Sequence, residues 1–211
     1  MHNWQQKVAG TVSVAAVAYF VFWACAPTTY FQPSGHIQPR EGFVEIGAST
    51  ALVPGGQVAF DSSSDAQTGV QPSFDFQLSG GAQVNDFLSL RLHVFAGSST
   101  LVGLGPALRF HLLKDERLDI GVDFQGGWLW ASVGLPISVE ITDRLWFYTQ
   151  PSFGLRFQPT QLPVGLYWEA TDAVALGVTV GLDSEPNGGT ELTKNPPSAF
   201  RAGVGMSITF D

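Results

Sequence analysis

The chain has 211 residues, enough for one domain, or for one domain with a targeting segment. Its 10 Lys and Arg against 18 Asp and Glu give a net charge of −8, and it has a single Cys; this excludes a basic nucleic-acid-binding surface, a disulfide framework and a cysteine-rich zinc site. Charged residues are only 13% while hydrophobic residues are 45%, which excludes a disordered chain and leaves less charge than the ~25% usual for a soluble domain.

In chain order, the first feature is an uncharged run of 17 residues, Val8 to Ala24, preceded by Lys7. A charged start followed by an apolar middle is the pattern of a secretory signal, and the run is short of the ~20 apolar residues of a spanning helix. Cys25 follows directly, in Phe22-Trp23-Ala24-Cys25-Ala26. This resembles the lipobox of bacterial lipoproteins, in which a small residue precedes the lipidated cysteine. Ala24 fits that pattern, and Phe22 and Trp23 depart from it. The resemblance implies a signal peptide over 1–24 and lipid attachment at Cys25. Ala26, in place of the Asp that retains lipoproteins at the inner membrane, implies sorting outward. The alternative is a plain signal or an uncleaved anchor, with Cys25 an incidental thiol. Residues 25–42, with Pro27, Pro33 and Pro39 among Thr, Gln and Gly, read as a periplasmic tether.

From residue 43 the dominant signal is alternation with a period of two, the mark of strands with two different faces. Leu118, Ile120, Val122, Phe124, Gly126, Trp128 and Trp130 alternate with Asp119, Gly121, Asp123, Gln125 and Gly127; Val174 to Leu182 and Phe200 to Phe210 repeat the pattern. Ten strands are expected, at 43–53, 70–83, 88–97, 101–113, 117–129, 131–141, 145–157, 161–169, 174–183 and 199–210, with eight as the alternative count. Asp86, Asp115, Asp143 and Asp172 recur at turns 29, 28 and 29 residues apart, the length of two strands and their turns. Two longer connections, 54–69 and 184–198, fall at the opposite end.

A soluble sandwich and a membrane barrel both alternate. Here the apolar face has no charge in any expected strand, and the other face is mostly Gly, Ser, Thr, Gln and Ala. Strands of ten or more residues suit a tilted membrane crossing. The aromatics Trp128, Trp130, Phe147, Phe157, Trp168, Phe200 and Phe210 lie toward strand ends on the apolar face, where an interfacial girdle would sit. On these features residues 43–211 resemble the small bacterial outer-membrane β-barrels of the OmpA/OmpX-like class. The closing strand ends in Phe210, as in that class, although Asp211 follows it. The resemblance implies an all-β, up-and-down antiparallel transmembrane barrel in the outer membrane of a Gram-negative bacterium. Its partners would be outer-membrane lipid and, during biogenesis, the barrel-assembly machinery. A secreted soluble β-barrel is the alternative.

Parity points Glu45, Asp75, Arg91, Arg109, Asp119, Asp123, Glu140, Arg156, Glu169 and Arg201 into the lumen, with Asp183, His93 and His111. Unpaired charges in a narrow interior are costly, so one expectation is a mutually paired plug. The other is a narrow pore that favours a small cationic solute, because acids outnumber arginines. The expected role is structural or passive transport, porin-like, with a surface ligand on the long loops as a further partner. A lipid-modifying enzyme is the competing class, drawn from His93, His111, Ser98, Ser99 and Asp123; no G-x-S-x-G motif supports it, and no catalytic residue, cofactor or metal is expected.

Overall fold

The computed structural model describes residues 37–38, 40–53, 71–97, 102–127, 130–156, 160–183 and 199–211. The signal range and Cys25 lie outside the described residues, as do Trp128, Phe157, Ser98 and Ser99. The described chain is a closed, all-β antiparallel barrel. Its strands are β1 (Gly42–Val53), β2 (Gln71–Gln83), β3 (Leu88–Gly97), β4 (Val102–Asp115), β5 (Leu118–Gly126), β6 (Trp130–Gly134), β7 (Ile137–Thr142), β8 (Leu145–Thr149), β9 (Ser152–Arg156), β10 (Gln161–Thr171), β11 (Val174–Asp183) and β12 (Ala199–Phe210). Consecutive strands pair from β1 to β6, and again from β10 to β12, β7 pairs with β8 and β6 with β9, and β12 closes on β1 from Gly42↔Phe210 to Leu52↔Phe200. Closure leaves no sheet edge and gives the backbone its hydrogen bonds internally.

The twelve segments form ten staves. Both β6 and β7 pair with β5, and both β8 and β9 pair with β10, so each of these couples is one interrupted stave. The interruptions fall at Leu135-Pro136 and Gln150-Pro151, where proline has no N–H to give the ladder. Neighbouring groups bridge the gap: Leu135 N donates to Pro151 O at 2.9 Å and Gly121 N to Pro136 O at 2.9 Å. Inward parity persists across the first break, since Ser132 and Ser138 are both buried.

At two of the four turns marked by aspartate, an Asn or Asp side chain caps the backbone as its residue type favours. Asn85, beside Asp86, does the work at the first: its Oδ1 accepts from Phe87 N and Leu88 N, both at 2.9 Å. Asp115 Oδ1 accepts from Glu116 N at 2.8 Å. Arg144 takes the left-handed conformation, with φ 72°. A bulge between His111 and Leu113 inserts Leu112, which turns Leu113 outward and Lys114 inward, opposite Asp119.

One expected placement is corrected. Trp130, assigned to the apolar outer face by a count running from Leu118, is only 2% exposed and points into the barrel. The strand expected over 117–129 ends at Gly126, and Gly127 N bonds to Trp130 O at 2.9 Å across a tight hairpin. Parity counted through that turn reverses face. Trp168, Phe200 and Phe210 remain outward and exposed, among apolar neighbours such as Phe76, Leu92 and Val178.

Inside, aromatic rings lie on glycines across the ladder. Phe95 faces Gly103, Tyr148 faces Gly165 and Phe43 faces Gly81 in register. A Cβ on Gly103 would come within 2.0 Å of the Phe95 ring, and one on Gly165 within 2.5 Å of the Tyr148 ring. Phe95 is itself held by the edge of Trp130, with centroids 5.9 Å apart. Gly103→Ala is expected to destabilise the barrel by about 1–3 kcal/mol through overpacking. Adding Phe95→Leu should restore part of that loss; unfolding in urea from lipid vesicles measures both.

Candidate functional site

The barrel interior holds three groups of polar side chains, from inward positions of strands and, for Gln150, from the break between β8 and β9. At mid-barrel, Arg91 Nη1 donates to Glu45 Oε2 at 2.8 Å and Oε1 at 3.0 Å, and its guanidinium lies 4.5 Å from the centre of the Phe43 ring. Arg109 Nη2 donates to Asp123 Oδ2 at 2.8 Å and to Gln150 Oε1 at 3.0 Å. Gln150 Nε2 and Gln125 Nε2 both donate to the same Asp123 oxygen, at 2.9 and 3.2 Å. Gln150 stands at the proline break, so the interruption of β8 and β9 aims a long amide at the ion pair. His93 Nδ1 is 2.7 Å from Ser79 Oγ, which also accepts from Gln77 Nε2 at 2.6 Å.

Nearer the long connections, Arg201 gathers two carboxylates. Its Nη1 is 2.6 Å from Asp75 Oδ2 and its Nε 3.0 Å from Asp183 Oδ2, with Ser49 Oγ accepting at 3.2 Å. Asp75 belongs to β2 and Arg201 to β12, so this contact reaches across β1 and ties the seam of the barrel.

At the turn end, His111 Nδ1 is 2.8 Å from Asp119 Oδ1 and His111 Nε2 is 2.7 Å from Ser89 Oγ. All three side chains are buried. Lys114 Nζ donates to Gln83 Oε1 at 2.6 Å and to the carbonyl of Ile37. The opposite wall is aromatic: Trp146 stacks on Tyr167, centroids 5.8 Å apart, with Tyr148 tilted beside them.

Glu45, Asp75, Arg91, Arg109, Asp119, Asp123 and Arg201 thus all lie inside and in contact with partners. Glu140 sits at the turn-end rim, 3.5 Å from the exposed Arg117. Glu169 is half-buried at the same end. Arg156 occupies β9 opposite Trp130, and its side chain lies outside the description. Glu45 is 1% exposed and Arg109 and Asp123 are 0% exposed. A water-wide passage would leave its lining side chains wet, so the barrel is filled where these residues meet.

Of the histidine sets considered from sequence, Ser98 and Ser99 lie outside the described residues, and the described members have other hydrogen-bond partners. Asp123 is engaged by Arg109, and His93 meets Ser79. The serine and acid that flank His111 are Ser89 and Asp119, and the sequence reading did not connect Ser89 with it. All three have inward parity. Only the register, which sets Ser89 opposite Arg109 and His111 opposite Gly121, brings them together. Among the described residues, no cluster of His, Cys, Asp and Glu could hold a metal ion.

No family model matches the chain, and no curated protein matches it. Solved structures of similar shape include the KdgM porin in complex with disordered oligogalacturonate, at 13% identity and TM-score 0.47, covering 79% of this chain and 99% of that one. The NanC porin matches at 13% identity and TM-score 0.45, over 80% of this chain and 100% of that one. Ail, the attachment invasion locus protein of Yersinia pestis, matches at 11% identity and TM-score 0.38, over 82% and 100%. None of these likenesses carries a residue role or a ligand to this chain.

Arg109→Met removes the cation from a buried carboxylate and is expected to cost about 3–5 kcal/mol. Arg144→Ala, which breaks an exposed pair with Asp172, should leave stability unchanged within error. Denaturant midpoints of the two variants against the parent give the comparison.

Proposed function

We propose that this chain is an outer-membrane β-barrel of a Gram-negative bacterium with a structural or porin-like role, its lumen closed at rest by its own ion pairs. The observation that carries the reading is the outer belt. Apart from Asp115 at the turn end of β4, outward positions of the described strands are apolar or small and uncharged, from Phe74 and Leu78 on β2 round to Val204 and Phe210 on β12. Water would not favour so continuous an apolar surface, and hydrocarbon would. A closed barrel also meets the requirement of hydrocarbon that every backbone polar group be paired within the protein.

The even stave count brings both ends of the barrel to the turn end, where Gly42 pairs with Phe210. Taking the short turns as periplasmic, a tether from Cys25 in the inner leaflet reaches β1 without crossing the membrane. This is consistent with a lipoprotein whose signal is removed at Ala24. Outer-membrane lipid and the barrel-assembly machinery are the partners of this reading. The packed interior supports a closed resting lumen. Passage of a small cationic solute requires the Arg91–Glu45 and Arg109–Asp123 pairs to part.

Three measurements test the proposal. The protein should fractionate with outer membranes and change gel mobility between unheated and heated samples; recovery from the soluble periplasm would overturn it. Fatty-acid labelling should be present in the parent and lost in Cys25→Ser. In planar bilayers the parent should be silent at low voltage, while the double variant Arg91→Ala, Arg109→Ala should conduct with cation preference. A large conductance in the parent, or anion preference in the variant, would contradict the closed, acid-rich lumen.

A further inference from the structure

The geometry points to a latent nucleophilic centre, Ser89–His111–Asp119, in the turn-end mouth of the barrel, covered by a strap formed by Ile37, Gln38, Arg40 and Glu41. The inference rests on the barrel fold and goes beyond a structural or transport role. Its chemical class is acyl transfer from a small carboxylic ester to water.

The connectivity of the three side chains is that of a serine hydrolase. His111 presents Nδ1 to the Asp119 carboxylate at 2.8 Å and Nε2 to the Ser89 hydroxyl at 2.7 Å. A carboxylate only accepts, so the Nδ1–H tautomer is the one it selects in a neutral ring. That leaves the Nε2 lone pair facing the Ser89 O–H, as a general base requires. The register fixes the order. Ser89 on β3 and His111 on β4 are inward positions two residues out of step, and Asp119 on β5 is two out of step with His111. Strand geometry, rather than loop placement, holds all three.

The strap is tied to the residues across the ladder from this group. Arg40 N donates to Gln83 O at 2.7 Å, and Gln83 N donates to Glu41 O at 3.0 Å. Gln83 stands opposite Ser89 in the ladder. Lys114 stands opposite Asp119, and its Nζ holds the Ile37 carbonyl and Gln83 Oε1. Ile37 is 1% exposed, so its side chain is seated inside the mouth. The strap is folded on itself by Gln38 N to Glu41 Oε2 at 2.7 Å and by the left-handed Arg40, φ 73°. It is therefore anchored to the two residues directly across from the serine and the acid.

When the strap lifts, Lys114 loses a carbonyl acceptor, and an ester carbonyl entering the mouth would meet the same ammonium. Ser89 Oγ then attacks the carbonyl carbon as its proton passes to His111 Nε2. Lys114 stabilises the oxyanion, and Asp119 stays ionised against the imidazolium. The alkoxide leaves with the proton from His111. Water attacks the acyl-Ser89 ester, gives a proton to His111, and releases the carboxylic acid as the proton returns to Ser89. Ester and water become acid and alcohol with no other reactant.

The test is active-site labelling of the full-length protein in vesicles with a fluorophosphonate, which bonds to an activated serine with loss of fluoride. Peptide mass spectrometry locates the adduct. Ile37→Gly unseats the strap, and its labelling at Ser89 should be about tenfold or more faster than the parent's. Glu41→Ala, which removes the bond from Gln38 N that folds the strap turn, should act in the same direction. Ser89→Ala should abolish the adduct, and Asp119→Asn should slow it at least ~100-fold while the barrel stays heat-modifiable. Absence of an adduct on Ser89 in a heat-modifiable Glu41→Ala or Ile37→Gly protein would overturn the proposal. So would labelling of the same rate in Ser89→Ala. Heat-modifiability of each sample separates failure of this site from failure of the barrel reading.

Discussion

A ten-stave barrel gives every second strand residue to an interior only a few side chains wide, and that restriction governs the rest of this protein. Closure is what imposes it. Once β12 pairs with β1, no edge is left to open, and the inward face must fit a fixed cross-section. The molecule meets this in two ways. Aromatic rings lie on glycines, as Phe95 on Gly103 and Tyr148 on Gly165. Charges touch across intervening strands, as Arg91 to Glu45 and Arg201 to Asp75. Long side chains lie against the wall or reach their partners, and small ones make the room.

The same restriction explains why the buried charges are paired. Asp123 collects Arg109, Gln125 and Gln150 on one oxygen, and Arg201 collects Asp75, Asp183 and Ser49. In an interior shielded from water each unmatched ion would face a desolvation cost of several kcal/mol. The proline breaks, which look like defects in the sheet, place Gln150 where Asp123 needs a donor. The bulge at Leu112 likewise turns Lys114 inward, to a mouth where carbonyl oxygens accept from it. Local departures from regular strand geometry supply the contacts that regular alternation could not reach.

The outer and inner faces answer to different solvents. Outward residues compete only for apolar contact, so their identities are loosely fixed and read as a plain run of Leu, Val, Ile and Phe. Inward residues must satisfy one another individually. This is why the outer face, Trp130 apart, was legible from alternation, while the partners of the inner face were not.

Read along the chain alone, the residue order carries the period of two, the turns that repeat every 28 or 29 residues, a count of ten strands with eight as the alternative, and the inward direction of Glu45, Asp75, Arg91, Arg109, Asp119, Asp123 and Arg201. These follow from local alternation and turn chemistry, which a chain carries without knowing its neighbours. Parity failed at Trp130, where counting ran through a hairpin, and it could not foresee the breaks at Pro136 and Pro151 as places where one stave becomes two segments. Which inward residues meet is set by the closed barrel. Ser89, His111 and Asp119 lie within 30 positions of one another, yet their contact depends on the register of three strands and on a bulge just past His111. Register is set by turns, bulges and closure acting together, so pairings across the interior belong to the closed barrel and to no single strand.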